Sequence, residues 1–274
     1  MHRTLEHFDL QKLAAILGIS LSDLLDLSNS APKQYYEKTL VKHDKVRVIE
    51  IPSADLKGKQ RILLRRVLSD LPVNPRLYGC PGTSIKDAVA DHIRKPVVIT
   101  LDIKDFFPSV QSHQIRNVLR RRKASAEVTE TLVRLTTYKN HLPHGSPTSP
   151  CIARLILNPL ATNLERLLKS IHPDAMFSIY VDDITISGPE GIVRAIPTIK
   201  GIVKRLGFVI NHKKLRVMRQ NQEQESLSIR LNNRIEPTSS YLRRLEATKE
   251  HFPSNHPKVR GMKAFMDFLF RIES

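Results

Sequence analysis

The sequence predicts an α+β fold, on three observations. Two apolar, β-branched runs, 97–101 and 179–186, stop at aspartate or turn on it. Runs at 55–71, 152–168 and 192–206 carry apolar residues at the three- and four-residue spacing of a helix face. No repeat or low-complexity segment interrupts this mixture. Strands interleaved with helices argue against a bundle or a sandwich.

The first thirty residues read as short helices. Leu13, Ile16 and Leu17 are apolar, Gly18 is a stop, and Ser20 with Asp23 supplies an N-cap and a first-turn acid. A strand follows at 46–52, behind a basic turn at 42–45. In the helix over 55–71, Leu64, Val67, Leu68 and Leu71 share one face, flanked by Lys57, Arg61 and Arg65. The turn-rich segment 145–150 leads into a helix that Pro159 is expected to kink or divide. A helix from Gly191 to Gly207 and a strand over 208–210 come next. The tail from Glu236 carries the apolar run Met262, Phe265, Met266, Phe268, Leu269 and Phe270.

With 274 residues and 41% hydrophobic content, the chain can bury a sizeable core. No apolar run reaches membrane-spanning length, and the first residues lack a secretory signal, so a cytoplasmic protein is expected. Cys80 and Cys151 have no metal-ligand spacing and are expected as separate, reduced thiols. The formal charge of +17 favours a polyanionic partner, nucleic acid above all, and no long basic amphipathic helix supports a membrane surface.

Asp182 and Asp183 stand side by side between two strand runs. Neighbouring strand residues face opposite sides, so both can approach one site only at a turn, and an exposed hairpin tip is expected. Taken alone this is equally an ordinary acidic turn. Asp102 ends the upstream run and makes a third carboxylate available. Clustered carboxylates repel and shift each other's pKa unless a divalent cation neutralises them.

In chain order, the blocks Arg47-Val48-Ile49-Glu50-Ile51-Pro52, Leu101-Asp102-Ile103-Lys104-Asp105-Phe106-Phe107-Pro108-Ser109, Gly145-Ser146-Pro147-Thr148-Ser149-Pro150, Tyr180-Val181-Asp182-Asp183 and Leu206-Gly207-Phe208, with Asn211 and Lys214, resemble those of reverse transcriptases. The bacterial retron-type group is the most similar, over roughly residues 35 to 245. Three positions depart from that group's pattern: His144 stands where glutamine is usual, Ala88-Val89 where Asn-Ala precedes the histidine, and Leu227-Ser228-Ile229 where Val-Thr-Gly is usual.

The resemblance implies a right-hand polymerase. Residues 1–34 would form a helical extension, 35–235 the fingers and palm, and 236–274 a short helical thumb. It implies Asp102, Asp182 and Asp183, with the backbone of Ile103, as ligands of two Mg2+ ions, for which Mn2+ can substitute, and Lys214 as the group that protonates or shields the pyrophosphate. The deoxynucleotide would meet Lys42, Lys45, Arg47, Asp105, Phe106, Phe107, His144 and Gly145, with the Phe107 ring excluding a ribose 2′-hydroxyl. Nucleic acid would meet Lys57, Arg61, Arg65, Ser146, Pro147 and Tyr180. The implied partners are a structured non-coding RNA serving as template and primer, its DNA product, and a separate effector or toxin in antiphage defence. Two alternatives stay open: a non-retron defence or intron-derived reverse transcriptase, and a non-catalytic scaffold that holds RNA and a toxin.

Overall fold

The computed structural model describes residues 4–42 and 45–271, and the side chains of 41–47 lie outside the description. Asp9 caps α1 (Leu10–Leu17), Gly18 ends it at φ 66°, and a Ser20/Asp23 capping box opens α2 (Leu21–Ser30). Side-chain oxygens there take up first-turn N–H groups, and glycine enters the left-handed region without steric cost. Strands β1 (Tyr35–Lys42) and β2 (Lys45–Pro52) pair antiparallel.

Ser53 caps α3 (Ala54–Leu63), which continues as a π-helical turn over Leu64–Leu68. The wider turn shifts the predicted stripe. Leu63, Val67, Leu68 and Leu71 are buried, whereas Leu64 is half-buried.

Next come β3 (Leu77–Tyr78), α4 (Ile85–Val89), β4 (Val97–Asp102), α5 (Phe106–Ser109), α6 (Ser112–Arg121), α7 (Ala126–Thr136) and α8 (Ser149–Ile171). Of the two outcomes expected at Pro159, division does not occur: α8 continues through it to Ile171. Leu155, Leu157, Leu160, Ala161 and Leu164 are all buried around that position, and their packing outweighs one missing backbone bond.

Strands β5 (Met176–Tyr180) and β6 (Asp183–Gly188) form the expected hairpin. The next helix starts later than predicted: Glu190–Ala195 is a 3₁₀ segment, and α9 (Ile196–Arg205) begins with Pro197 in its first turn, where a missing N–H is harmless. The predicted strand 208–210 is reduced to one bridge, Ile210 to Ile103. The fifth strand of the sheet is instead β7 (Arg216–Arg219), followed by β8 (Glu225–Ser226), β9 (Ile229–Arg230), β10 (Glu236–Pro237), α10 (Ser239–His251) and α11 (Pro257–Phe270).

The chain divides into two compact units. The first takes residues up to Pro75, Gly79–Gly82 and Asp105–Pro159. In it the buried Gln60 amide donates to the Tyr35 hydroxyl and the Leu135 carbonyl and accepts from Ser146, joining three distant segments. Cys80 and Cys151, expected as separate thiols, are brought side by side, with Cα atoms 5.4 Å apart, a spacing that a disulfide can bridge. The fold brings together two positions 71 residues apart, which sequence spacing does not reveal.

The second unit takes Arg76–Tyr78, Thr83–Lys104 and the chain from Leu160 onward, and is built on a five-stranded sheet ordered β3-β5-β6-β4-β7. All its pairings are antiparallel except β3 with β5. One face carries Val97, Ile99, Leu101, Phe177, Ile179, Ile184 and Ile186, all buried. By alternation, Val98, Thr100, Asp102, Ser178, Tyr180, Asp183, Thr185 and Ser187 share the opposite face. Away from the carboxylates that face is sealed by a cluster of Val89, Val98, Met218, Ile229, Leu231 and Leu269, against which Phe265 and Phe268 of α11 pack.

Candidate active site

Antiparallel register sets Asp102 of β4 directly opposite Asp183 of β6, on the same sheet face. Tyr180 pairs with Asp183, so Val181 and Asp182 form a two-residue turn. Val181 takes φ 60°, a conformation that β-branched residues rarely adopt, in keeping with the primed turns that join twisted arms. The Asp182 carbonyl accepts the Ile103 N–H at 3.1 Å, which ties the turn to the end of β4.

Both members of the acidic pair are half-buried, where an exposed hairpin tip was expected. The sheet register draws the tip in beside β4. Burial, and then the charges of Asp182 and Asp102, push the Asp183 carboxyl up to about 6, against partial relief from Lys214. Asp102 is 4% exposed, and both its oxygens are engaged. Lys214 Nζ donates to Oδ2 at 2.5 Å and Asn211 Nδ2 to Oδ1 at 3.1 Å. The Asn211 N–H also donates to the Asp102 carbonyl at 2.8 Å, fixing the loop that carries Lys214. Burial lowers the Lys214 pKa, but the hydrogen bond to Asp102 and the charges of Asp102, Asp183 and Asp182 outweigh it, leaving the ammonium above its ordinary value.

A cavity of about 320 Å3 opens beside these groups, lined among others by Asp102, Asp183, Lys214, Thr185, Ser226 and Ser240. Among the described residues no three His, Cys, Asp or Glu side chains form a ready-made metal cage. The Lys214 ammonium supplies the positive charge at Asp102. The donor set still fits a hard divalent cation: carboxylate oxygens meet on adjacent strand ends, and burial, with the neighbouring carboxylate charges behind it, raises the Asp183 pKa.

The residues expected around a nucleotide lie in the first unit. Phe106 is buried in its core, while Phe107 is half-buried, with its ring edge-on to His144 at 5.5 Å. The exposed Asp105 takes φ 46° and accepts the Ser109 N–H at 3.0 Å, bending the chain into α5. Gly145 donates its N–H to the Glu50 carbonyl at 3.0 Å, and a Cβ on Gly145 would collide with that oxygen. Lys42, Lys45 and Arg47 have side chains outside the described ones.

Of the residues expected on nucleic acid, Arg61 and Arg65 are exposed and line one surface cavity with Ile16, Ile62 and Arg66. Lys57, Pro147 and Tyr180 are half-buried. Ser146 is buried and its hydroxyl is spent on Gln60 and Thr148, so that side chain is scaffold where contact was expected. Ile103 is buried, and only its backbone is suited to a ligand role.

Sequence reasoning assigned no role to Glu50, Gln60 or Asn211. Glu50 is 8% exposed and accepts from His141 Nε2 at 2.7 Å and the His144 N–H at 3.3 Å. An acid inside an alternating apolar strand was the available signal.

A mixed sheet whose central strands end in facing aspartates is the palm of a template-dependent polymerase, here with a fingers unit. Solved structures agree on the fold. Telomerase from Candida tropicalis superposes with a TM-score of 0.57 at 12% identity, over 78% of this chain and 50% of its own. Telomerase from Candida albicans, in complex with a fragment of telomeric RNA, gives 0.56 at 14%, over 74% of this chain and 45% of its own. This chain thus spans about half the length of those proteins. The chain belongs to the reverse transcriptase (RNA-dependent DNA polymerase) family, whose model matches residues 33–231, and is of the retron type. It is 29% identical to the retron Mx65 reverse transcriptase of Myxococcus xanthus, over 94% of this chain and 68% of that protein. It is 24% identical to the retron Ec86 reverse transcriptase of Escherichia coli, over 97% and 85%. Among the described residues, no helix is long and apolar enough to cross a membrane.

Proposed function

We propose that the chain copies part of a structured non-coding RNA into short single-stranded DNA that stays joined to RNA, in antiphage defence beside a separate effector protein. The observation that carries the catalytic part is the pairing of Asp102 with Asp183 across adjacent strands, with Asp182 in the turn and Lys214 in reach. The retron relatives support the RNA-templated part.

Bound divalent ions, two Mg2+ or Mn2+ in place of them, would supply activation of the primer hydroxyl and neutralisation of the phosphates. Asp102, Asp182 and Asp183 would hold them, with the Ile103 backbone beside. Lys214, held in place by its hydrogen bond to Asp102, would shield the leaving pyrophosphate with its charge, or protonate it. The nucleotide would lie against Phe107, His144 and Gly145, with Lys42, Lys45 and Arg47 on its phosphates and RNA along Lys57, Arg61 and Arg65. Residues 236–274 would act as a short thumb, and residues 1–34 as a support for the fingers.

The test is primer extension with deoxynucleotides and Mg2+ on RNA copurified with the protein. Asp102→Asn and Asp182→Asn are each expected to reduce incorporation by a factor of about a thousand or more while RNA binding persists. Undiminished synthesis by either variant overturns the site.

Ala88-Val89 and Leu227-Ser228-Ile229 favour a second reading, the same polymerase acting on another RNA or from another primer. Sequencing the copurified DNA separates the two, since the first demands one short species covalently joined to RNA.

A further inference from the structure

His92 ends the 3₁₀ turn Ala90–His92 behind α4 and is 0% exposed. Its Nδ1 lies 2.6 Å from Ser187 Oγ and its Nε2 2.9 Å from Ser178 Oγ. Both serines are themselves buried. Ser178 belongs to β5 and Ser187 to β6, the two arms of the hairpin that carries Asp182 and Asp183. Register places them diagonally on the sheet face that also bears Asp183. One ring thus bridges both arms from outside the sheet, and a neutral imidazole can do so with one ring nitrogen donating and the other accepting. Burial pushes the ring down to about 3, in keeping with that state.

We infer that His92 is a positioning residue, which fixes the splay of the two hairpin arms and so sets where Asp182 and Asp183 stand relative to Asp102. This rests on the catalytic reading above. Reactivity falls steeply when ligating groups are displaced by about 1 Å, so an unclamped hairpin slows the chemical step more than it weakens substrate binding.

Removing the whole polar set separates positioning from stability, because replacing all the hydrogen-bonding partners by apolar groups leaves no buried group unsatisfied. The triple variant His92→Leu/Ser178→Ala/Ser187→Ala is compared with the wild-type chain by thermal melting and by single-nucleotide extension in Mg2+. The expected result is a melting temperature close to that of the wild type, with kcat lower by about tenfold or more and deoxynucleotide KM within about threefold. A folded triple variant with wild-type kcat overturns the inference. If the triple variant does not fold, Ser187→Ala alone decides: a kcat loss of about threefold or more at unchanged KM supports the clamp, and an unchanged kcat refutes it. Asp182→Asn is run in the same assay. Synthesis by that variant defeats the catalytic reading itself, whereas an inactive Asp182→Asn beside fully active clamp variants defeats only the role of His92.

Discussion

At the level of single residues, the buried His92 and the half-buried Asp183 pull stability in opposite directions. His92 is pushed from 6.5 to about 3, chiefly by burial, with Asp91 raising it and Arg76 and Lys95 lowering it. The unfolded chain therefore takes up a proton here well before the folded one. The stability held by the neutral ring is complete above about pH 6.5 and is lost toward pH 3, by up to about 1.4 kcal/mol per pH unit. Asp183 moves the other way, from 3.8 to about 6. Its favourable contribution is present below 3.8 and disappears as pH rises through 6. In metal-free buffer the two trends offset each other between about pH 4 and 6. Denaturant titrations across this range should show Asp183→Asn losing stability on acidification more steeply than wild type, and His92→Gln less steeply. Phe107 offers a separate check, because its ring is only half-buried and stands nearly perpendicular to that of His144. If it is the sugar gate, Phe107→Val should raise ribonucleotide incorporation relative to deoxynucleotide by about tenfold or more in competition assays, a discrimination of the size one steric contact provides.

At the level of elements, legibility followed period and length. The strand run at 97–101 and the two runs flanking Asp182-Asp183 could be read because each is a short apolar, β-branched stretch; the first ends at Asp102 and the other two turn at the acidic pair, as expected. Capping of α1 and α2 was visible in Gly18, Ser20 and Asp23. Strand β7 was missed because it is short and Arg216 closes the basic run that starts at Lys213, whereas pairing with β4 puts Met218 in the core beside Val98, with Arg216 further along the same face and Arg219 on the other. The π-turn after α3 and the unbroken α8 depend on tertiary packing, which local pattern does not encode. For the site, the three carboxylates were legible as motifs, but the Lys214 and Asn211 bonds to Asp102 needed the loop after α9 to fold back. The tail packs on the five-stranded sheet: Leu269 is 4% exposed within the cluster around Val98 and Met218. Leu269→Ala should cost about 2–4 kcal/mol in denaturant unfolding, the usual range for a leucine lost from a packed core.

At the level of the whole molecule, charge and connectivity matter most. A formal +17 makes nucleic-acid binding strongly salt-dependent. For single-stranded RNA each neutralised phosphate contributes a slope of about −0.7 in log K against log salt. If Arg61, Arg65 and Lys57 each contact a phosphate, the triple alanine variant should flatten that slope by about 2, measured by fluorescence anisotropy between roughly 50 and 200 mM salt. The cluster that seals the palm sheet joins Val98 to Leu269, about 170 residues further along. A ribosome adding about 5–20 residues per second needs on the order of ten to thirty seconds to cover that interval. For that time the nascent β4, among the most apolar segments of the protein, waits without the residues that cover it, so holding chaperones are expected to raise the yield of folded protein and slower translation downstream of Asp102 to lower it.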